Sequence, residues 1–140
     1  REIPAAEVIE GRLKAEEIAG WLLKTSGLPL AYSSADPAHV AAIQESYGAA
    51  RASQALEDFV AEVARQVVAA GVTRVITAGG ETSGAVIEGL SLDRLEIGPE
   101  IDPGVPALRA GPDLTVALKS GNFGAPDFFA KAARVLGGEA

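Results

Sequence analysis

The spacing of apolar and polar residues predicts mainly helices in the first half of the chain. Apolar side chains recur at helical spacing over 14–26, and a glycine follows where a left-handed residue would end the helix. An Asp-Pro pair, typical of a helix start, opens a second helix over 37–47. A third and longest helix is predicted for 53–70, with one apolar face that should pack on a sheet. The short apolar run 28–32 predicts a strand.

In the second half, β-rich runs alternate with helical patterns. Strands are predicted for 74–78, 95–97 and 114–118, and helices for 85–90 and 127–136. Such alternation is typical of a sheet that is covered by helices on both faces. The sequence therefore predicts an α/β fold, a layered and Rossmann-like single domain.

Composition narrows the class of protein. The chain has 140 residues, 48% hydrophobic but only 5% aromatic, which suits one domain with a core of small aliphatic side chains. Its net charge is −7 and its basic residues form no patch, so nucleic acid is not an expected partner. Cysteine is absent and histidine occurs once, which excludes thiol catalysis and a histidine-rich metal cluster and suits a reducing cytoplasm. No apolar run reaches the roughly 18 residues of a membrane span.

Two glycine loops follow predicted strands and precede predicted helices, the arrangement that α/β sheets use for ligand crevices. The first contains Gly79, Gly80, Glu81, Thr82 and Ser83. Its glycines would let a phosphate approach the backbone, its hydroxyls would add donors, and the helix dipole would favour negative charge. It lacks the lysine of a Walker A loop. The alternative interpretation is a tight turn whose Ser or Thr caps a helix.

The second loop runs over 119–124. Lys119 could meet a phosphate, and the Gly121-Asn122 turn could bring the backbone close to a base or ribose. The alternative is that Lys119 is only the solvated end of a strand. Phe123 is interpreted as a core anchor in preference to a platform for base stacking.

Acidic residues are the remaining candidates for chemistry. Glu81 could contact magnesium, although a carboxylate in the first turn of a helix also suits the dipole. Glu100 and Asp102, in a Pro- and Gly-rich stretch over 98–106 that is predicted to be an ordered loop, share this ambiguity, as does Asp127.

Three ordered segments carry a family resemblance: AGGETSGAV at 78–86, IGPEIDPGVP at 97–106 and LKSGNFG at 118–124. They resemble the C-terminal domain of the four-carbon acid sugar kinase family. A further stretch over 42–55 is similar to its 3-oxo-tetronate kinase branch. The resemblance covers nearly the whole chain.

The resemblance implies an ATP-dependent kinase that uses Mg²⁺ and phosphorylates the C4 hydroxyl of a four-carbon acid such as 3-oxo-tetronate, threonate or erythronate. Residues 1–140 would be the nucleotide-binding C-terminal domain, and the sugar acid would bind an N-terminal domain absent from this chain. The nucleotide contacts would come from Gly79 through Ser83 and from Gly121 and Asn122, and the charge of Lys119 adds that residue to the candidates. The chain alone should bind ATP without turning over sugar acid.

Two other classes of function stay open at this point. A non-catalytic nucleotide or phospho-ligand sensor module would use the same glycine loops without reaction. An assembly domain would use them only as turns, with its apolar helices forming the face of a homodimer.

Overall fold

The computed structural model describes residues 1–121 and 123–138, which form six helices and four strands. The elements in chain order are α1 Ala5–Ile9, α2 Ala15–Lys24, α3 Pro37–Tyr47, α4 Ala49–Ala69, β1 Arg74–Ala78, α5 Gly80–Gly89, β2 Glu96–Asp102, β3 Val105–Arg109, β4 Thr115–Lys119 and α6 Phe128–Leu136. The predicted α/β fold is confirmed.

The four strands form one mixed sheet in the order β1-β4-β3-β2. Strands β1 and β4 are parallel neighbours, whereas β3 is antiparallel to both β4 and β2. Because β2 and β3 are joined as a hairpin, β4 can lie next to β1 despite the two strands between them in sequence. The turn of this hairpin lies beside the carboxyl end of β4, since the antiparallel register pairs Ala107 with Ala117.

Helices cover both faces of the sheet, as predicted. Successive side chains of a strand point to opposite faces. On β1, Ile76 packs with the cluster around α6, whereas the hydroxyl of the next residue, Thr77, bonds to Ser83 on α5. The two helices therefore lie on opposite sides of β1.

The apolar core has two parts. One lies among the helices of the first half and includes Ile18, Phe59 and Val63. The other lies between the sheet and α6, where Phe128 is 1% exposed and Ala117 is fully buried. Helix α4 packs on α5 as well as on α1, α2 and α3, and so connects the helical half to the layer above the sheet.

Two predictions for the first half need correction. The segment 28–32 is not a strand, because Pro29 has no N–H and only Tyr32 forms a bridge, to Glu2. The longest helix begins at Ala49, four residues earlier than predicted, and its main partners are other helices rather than the sheet. Helix α3 begins as predicted, with the Asp36 carboxylate accepting the N–H of His39 at 3.0 Å.

The stretch 98–106, predicted to be an ordered loop, is most of the β2–β3 hairpin. Its prolines concealed the strand. Pro99 is tolerated because β2 is an edge strand, and Pro106 of β3 lies opposite Glu100, where the pairing of the two strands is irregular. Only Pro103 and Gly104 form the turn, and Gly104 has the positive φ of 80° that such turns favour.

Candidate nucleotide site

Both glycine loops start at the same edge of the sheet. Ala78 and Lys119, the last residues of β1 and β4, are register partners, and the N–H of Gly79 donates to the carbonyl of Lys119 at 2.8 Å. Parallel neighbouring strands that end together are where α/β sheets form ligand crevices. The structure therefore brings the two predicted loops side by side.

The first loop is mostly helix. Helix α5 begins at Gly80, five residues before the predicted start, and the N–H of Ser83 closes its first turn on the carbonyl of Gly79 at 2.9 Å. Gly79 turns the chain with a φ of 107°, which strongly favours glycine. The sequence did not reveal this early helix start because the segment 79–84 contains three glycines, which are poor helix formers.

This start leaves three backbone donors open at the sheet edge. The N–H groups of Gly80, Glu81 and Thr82 precede the first N–H that bonds within the helix, and no acceptor for them occurs in the described part of the chain. Gly80 and Glu81 are exposed, and an ideal Cβ on Gly80 would meet no atom within 4 Å. Open N–H groups at the positive end of the helix dipole suit an anion such as phosphate.

The side chains of this turn have different surroundings. The Ser83 hydroxyl is buried and lies 2.8 Å from the hydroxyl of Thr77, so it secures α5 to β1 instead of facing the edge. Thr82 is half-buried, and its Oγ1 would lie 3.4 Å from a Cβ added at Gly79. Thr77 was not among the sequence candidates, and the only signal for it was a hydroxyl residue that follows the apolar residues Val75 and Ile76.

The second loop is partly closed upon itself. The Lys119 ammonium donates to the carbonyls of Ser120 at 3.0 Å and Gly121 at 3.1 Å. Its charge is therefore held at the loop rather than extended into solvent. Gly121 is exposed, and the predicted contact at Asn122 lies outside the described residues.

Phe123 differs from the prediction of a core anchor. The side chain is 49% exposed, and its ring touches the hairpin turn, where a Cβ on Gly104 would come within 3.2 Å. The third segment of the sequence resemblance thereby meets the second. All three segments converge on one edge of the sheet.

Asp102 is the buried acidic group at this edge, with 6% exposure. Its two carboxylate oxygens accept the Lys131 ammonium at 2.9 Å and the N–H of Ala125 at 2.8 Å. The hydrogen bond from Lys131, and then that from Ala125, hold the pKa of Asp102 below its ordinary value. The same pair raises the pKa of Lys131, with a smaller contribution from Asp127. Both Asp102 oxygens thus accept hydrogen bonds within the fold, which indicates a structural role for this carboxylate.

A side-chain metal cage is not found in residues 1–121 and 123–138: they contain no group of three His, Cys, Asp or Glu residues that could hold an ion. Mg²⁺ that enters with a nucleotide needs few protein ligands, because phosphate oxygens and water supply the rest. Exposed Glu81 is the acidic side chain next to the open N–H groups.

The helices in the described residues are too short or too polar to span a membrane.

Two surface cavities lie among the described residues. One, of about 400 Å³, lies between α4 and α5 and reaches Glu81. The other, of about 500 Å³, is lined by Arg94 and Arg109, near the start of β2 and the end of β3. That position is opposite the carboxyl ends of β1 and β4, so the larger cavity is not the crevice that the fold predicts.

The fold and this edge define a class: an α/β domain in which a helix begins with open N–H groups at paired strand ends. The nucleotide-binding C-terminal domain family matches residues 1–129, and the chain belongs to that family. A 3-oxo-tetronate kinase of Brucella melitensis is 47% identical over 126 residues, 87% of this chain and 29% of the relative. One from Pseudomonas fluorescens is 44% identical over 133 residues, 93% of this chain and 31% of the relative.

A solved structure agrees with the family. The crystal structure of a Haemophilus influenzae protein of the DUF1537 family superimposes with a TM-score of 0.89 at 36% identity and covers 96% of this chain and 34% of that one. The chain spans about a third of the length of the relatives it matches. The predicted resemblance is confirmed.

Proposed function

We propose that the chain is the ATP-binding domain of a kinase that transfers the γ-phosphoryl group to the C4 hydroxyl of a four-carbon sugar acid, 3-oxo-tetronate or a relative such as threonate or erythronate. The observation that carries the proposal is the edge where β1 and β4 end together and α5 presents three open N–H groups. The family and the named activity of its kinase relatives supply the chemistry.

The phosphates of ATP would lie on the first turn of α5. The N–H groups of Gly80, Glu81 and Thr82 would donate to phosphate oxygens, and Gly79 would allow close approach. Ser83 would support this contact from behind through Thr77. Glu81 would be the candidate residue to hold Mg²⁺, which would neutralise phosphate charge.

The ribose and base would extend toward the second loop. Gly121 is exposed beside the edge, and Lys119 already holds a positive charge there. Phosphoryl transfer depends chiefly on positioning and on neutralising charge, which backbone donors, Lys119 and Mg²⁺ can provide together.

The sugar acid, which carries the acceptor hydroxyl, would bind another part of a longer protein. Relatives are about three times as long as this chain, which leaves room for an N-terminal domain that binds the sugar acid. The C4 hydroxyl oxygen would attack the γ-phosphorus, the bond to the bridging oxygen of the β-phosphate would break, ADP would leave, and the hydroxyl proton would pass to solvent. This chain alone would bind ATP without transferring phosphate.

Mg-ATP titration of this chain by calorimetry, with melting measured in parallel, tests the proposal. Ligand at a hundred times its dissociation constant should stabilise the fold by roughly 2.7 kcal/mol. Gly80→Val should abolish the binding while leaving the fold intact, since its Cβ meets no protein atom. Gly20→Val is the matched control, a helical glycine of α2 with the same free space.

The proposal would be refuted if the wild-type chain neither binds Mg-ATP nor gains stability in its presence. Binding that survives in Gly80→Val would refute the placement at α5. A longer protein carrying this domain that binds ATP but phosphorylates no four-carbon acid would favour the sensor module. The cytoplasmic location and the homodimer stay predictions, and sedimentation of the chain tests the latter.

A further inference from the structure

The described part of the loop between β4 and α6 is bonded partly to itself and partly to a support outside it. Inside the loop, Lys119 bonds to its own neighbours, and the N–H of Phe123 meets the carbonyl of Ser120 at 3.3 Å. These contacts tie the first half of the loop to itself. They do not fix it to the sheet.

Asp102 supplies that support. It is the last residue of the edge strand β2, yet its Oδ2 accepts the N–H of Ala125 in the loop and its Oδ1 accepts the ammonium of Lys131 on α6. One buried carboxylate therefore joins a strand, the loop and the helix that follows. Lys131 is held in turn by Asp127 at 3.1 Å.

The hairpin turn touches the same loop a second time. The Glu100 carboxylate accepts the N–H of Gly104 at 2.9 Å, which fixes the turn, and the Phe123 ring rests on Gly104. The missing side chain of Gly104 makes room for the ring. The contacts that Asp102 and Gly104 make with the loop both come from the β2–β3 hairpin. This hairpin is separate from the first glycine loop.

We propose that Asp102 is a positioning residue that holds the second glycine loop at the sheet edge in the shape that accepts the nucleotide. The inference rests on the proposed ATP site. The physical reason for the inference is that a loop ordered before binding does not lose conformational freedom when the nucleotide binds, which favours affinity. Asp102 acts through Ala125 and Lys131, and both of its oxygens are used in doing so.

The test compares Mg-ATP affinity in the wild-type chain, Asp102→Asn and Asp127→Asn. Asp102→Asn should weaken binding about tenfold, because a charged acceptor is replaced at both of its bonds. Asp127→Asn is the control: it also loses a carboxylate beside Lys131, but its side chain is 60% exposed and pairs with Lys131 on α6. Its affinity should stay within about twofold of wild type.

Amide NMR spectra give a readout that general destabilisation would not reproduce. Asp102→Asn should shift the amide signals of Gly121, Gly124 and Ala125 and speed hydrogen exchange at Ala125, whereas Gly80 should keep its signal. If Asp102→Asn does not fold, Lys131→Gln must lower the affinity by at least about threefold, since it weakens the same support.

The outcomes separate the two proposals. If the wild type binds Mg-ATP but Asp102→Asn binds it equally well, the positioning role alone is overturned. The same holds if the loop amide signals of Asp102→Asn are unchanged. Unchanged affinity in Lys131→Gln does the same when it is the variant used. Wild type that does not bind Mg-ATP overturns the ATP site, and the positioning role falls with it.

Discussion

The close crossing of α4 and α5 allows a sharp test of the packing that directs α5 toward the proposed phosphate site. A Cβ built on Gly89 would lie 2.8 Å from the Cβ of Ala61 and 3.3 Å from its Cα. Carbon atoms normally pack at about 3.5–4.0 Å, so Gly89→Ala must move the helices apart by about 0.7 Å or more.

Two effects of Gly89→Ala oppose each other. Alanine is favoured over glycine by about 1 kcal/mol in a helix interior, but Gly89 is the last residue of α5, where the gain is smaller. Overpacking costs about 1–3 kcal/mol, and backbone atoms of Ala61 leave little room to yield. The overpacking should therefore dominate, with a net loss of about 1–2 kcal/mol in the free energy of unfolding.

Urea unfolding and thermal melting measure this loss, which corresponds to a fall in Tm of about 3–7 °C for a chain of this size. Gly84→Ala is the matched control in the same helix: a Cβ there would meet no atom within 4 Å. It should raise the free energy of unfolding by about 0.5–1 kcal/mol. A Gly89→Ala variant that is as stable as the wild type, or as stable as Gly84→Ala, would refute the close crossing of α4 and α5.

Three further predictions concern buried groups. Ser83→Ala should cost about 1–3 kcal/mol by leaving the Thr77 hydroxyl without its partner, and adding Thr77→Val should recover part of that loss in a double-mutant cycle measured by urea unfolding. Phe128→Ala should cost about 3–5 kcal/mol by denaturant unfolding, clearly more than the same change at half-buried Phe129. Asp102 has a lowered pKa in the fold, so its contribution to stability is present above the ordinary carboxyl pKa of 3.8 and is lost as pH falls through the folded value. Melting curves between pH 5 and pH 2 should therefore show a shallower fall for Asp102→Asn, and equal slopes would contradict the ion pair.

Local chemistry made part of the fold predictable. Asp36 and Pro37 mark the start of α3 because a carboxylate cap and a missing N–H suit only that position. Strands β1 and β4 lie within a residue of their predicted bounds, since β-branched and apolar runs between turn residues have few other solutions.

Tertiary contacts decided the elements that the sequence did not reveal. Helix α5 includes Gly80 and Gly84 because packing on α4 and the bond from Ser83 to Thr77 outweigh their poor propensity. Strand β2 includes Pro99 because an edge strand has a side without a neighbour. Neither the helix neighbour nor the position in the sheet can be read from a local window.

The candidate site was predictable as a set of loops but not as an arrangement. Glycines after strands indicated 79–84 and 119–124, and the fold then made them neighbours through the β1–β4 pairing. Strand order is a property of the whole sheet, so that pairing had no local signal. The role of Asp102 was hidden for the same reason, because its partners Ala125 and Lys131 lie 23 and 29 residues away.

The charges at this edge explain how an acidic chain could hold an anionic nucleotide. The net charge of −7 opposes ATP at long range, but salt screens exposed charges beyond roughly 10 Å. Near the edge, Lys131 neutralises Asp102, and the carbonyls of the second loop hold Lys119 in place. The open N–H groups of α5 then act in a local field that the distant carboxylates hardly change. Binding at the proposed site would depend on fixed dipoles and on one held lysine, so the shape of the second loop would matter as much as its sequence.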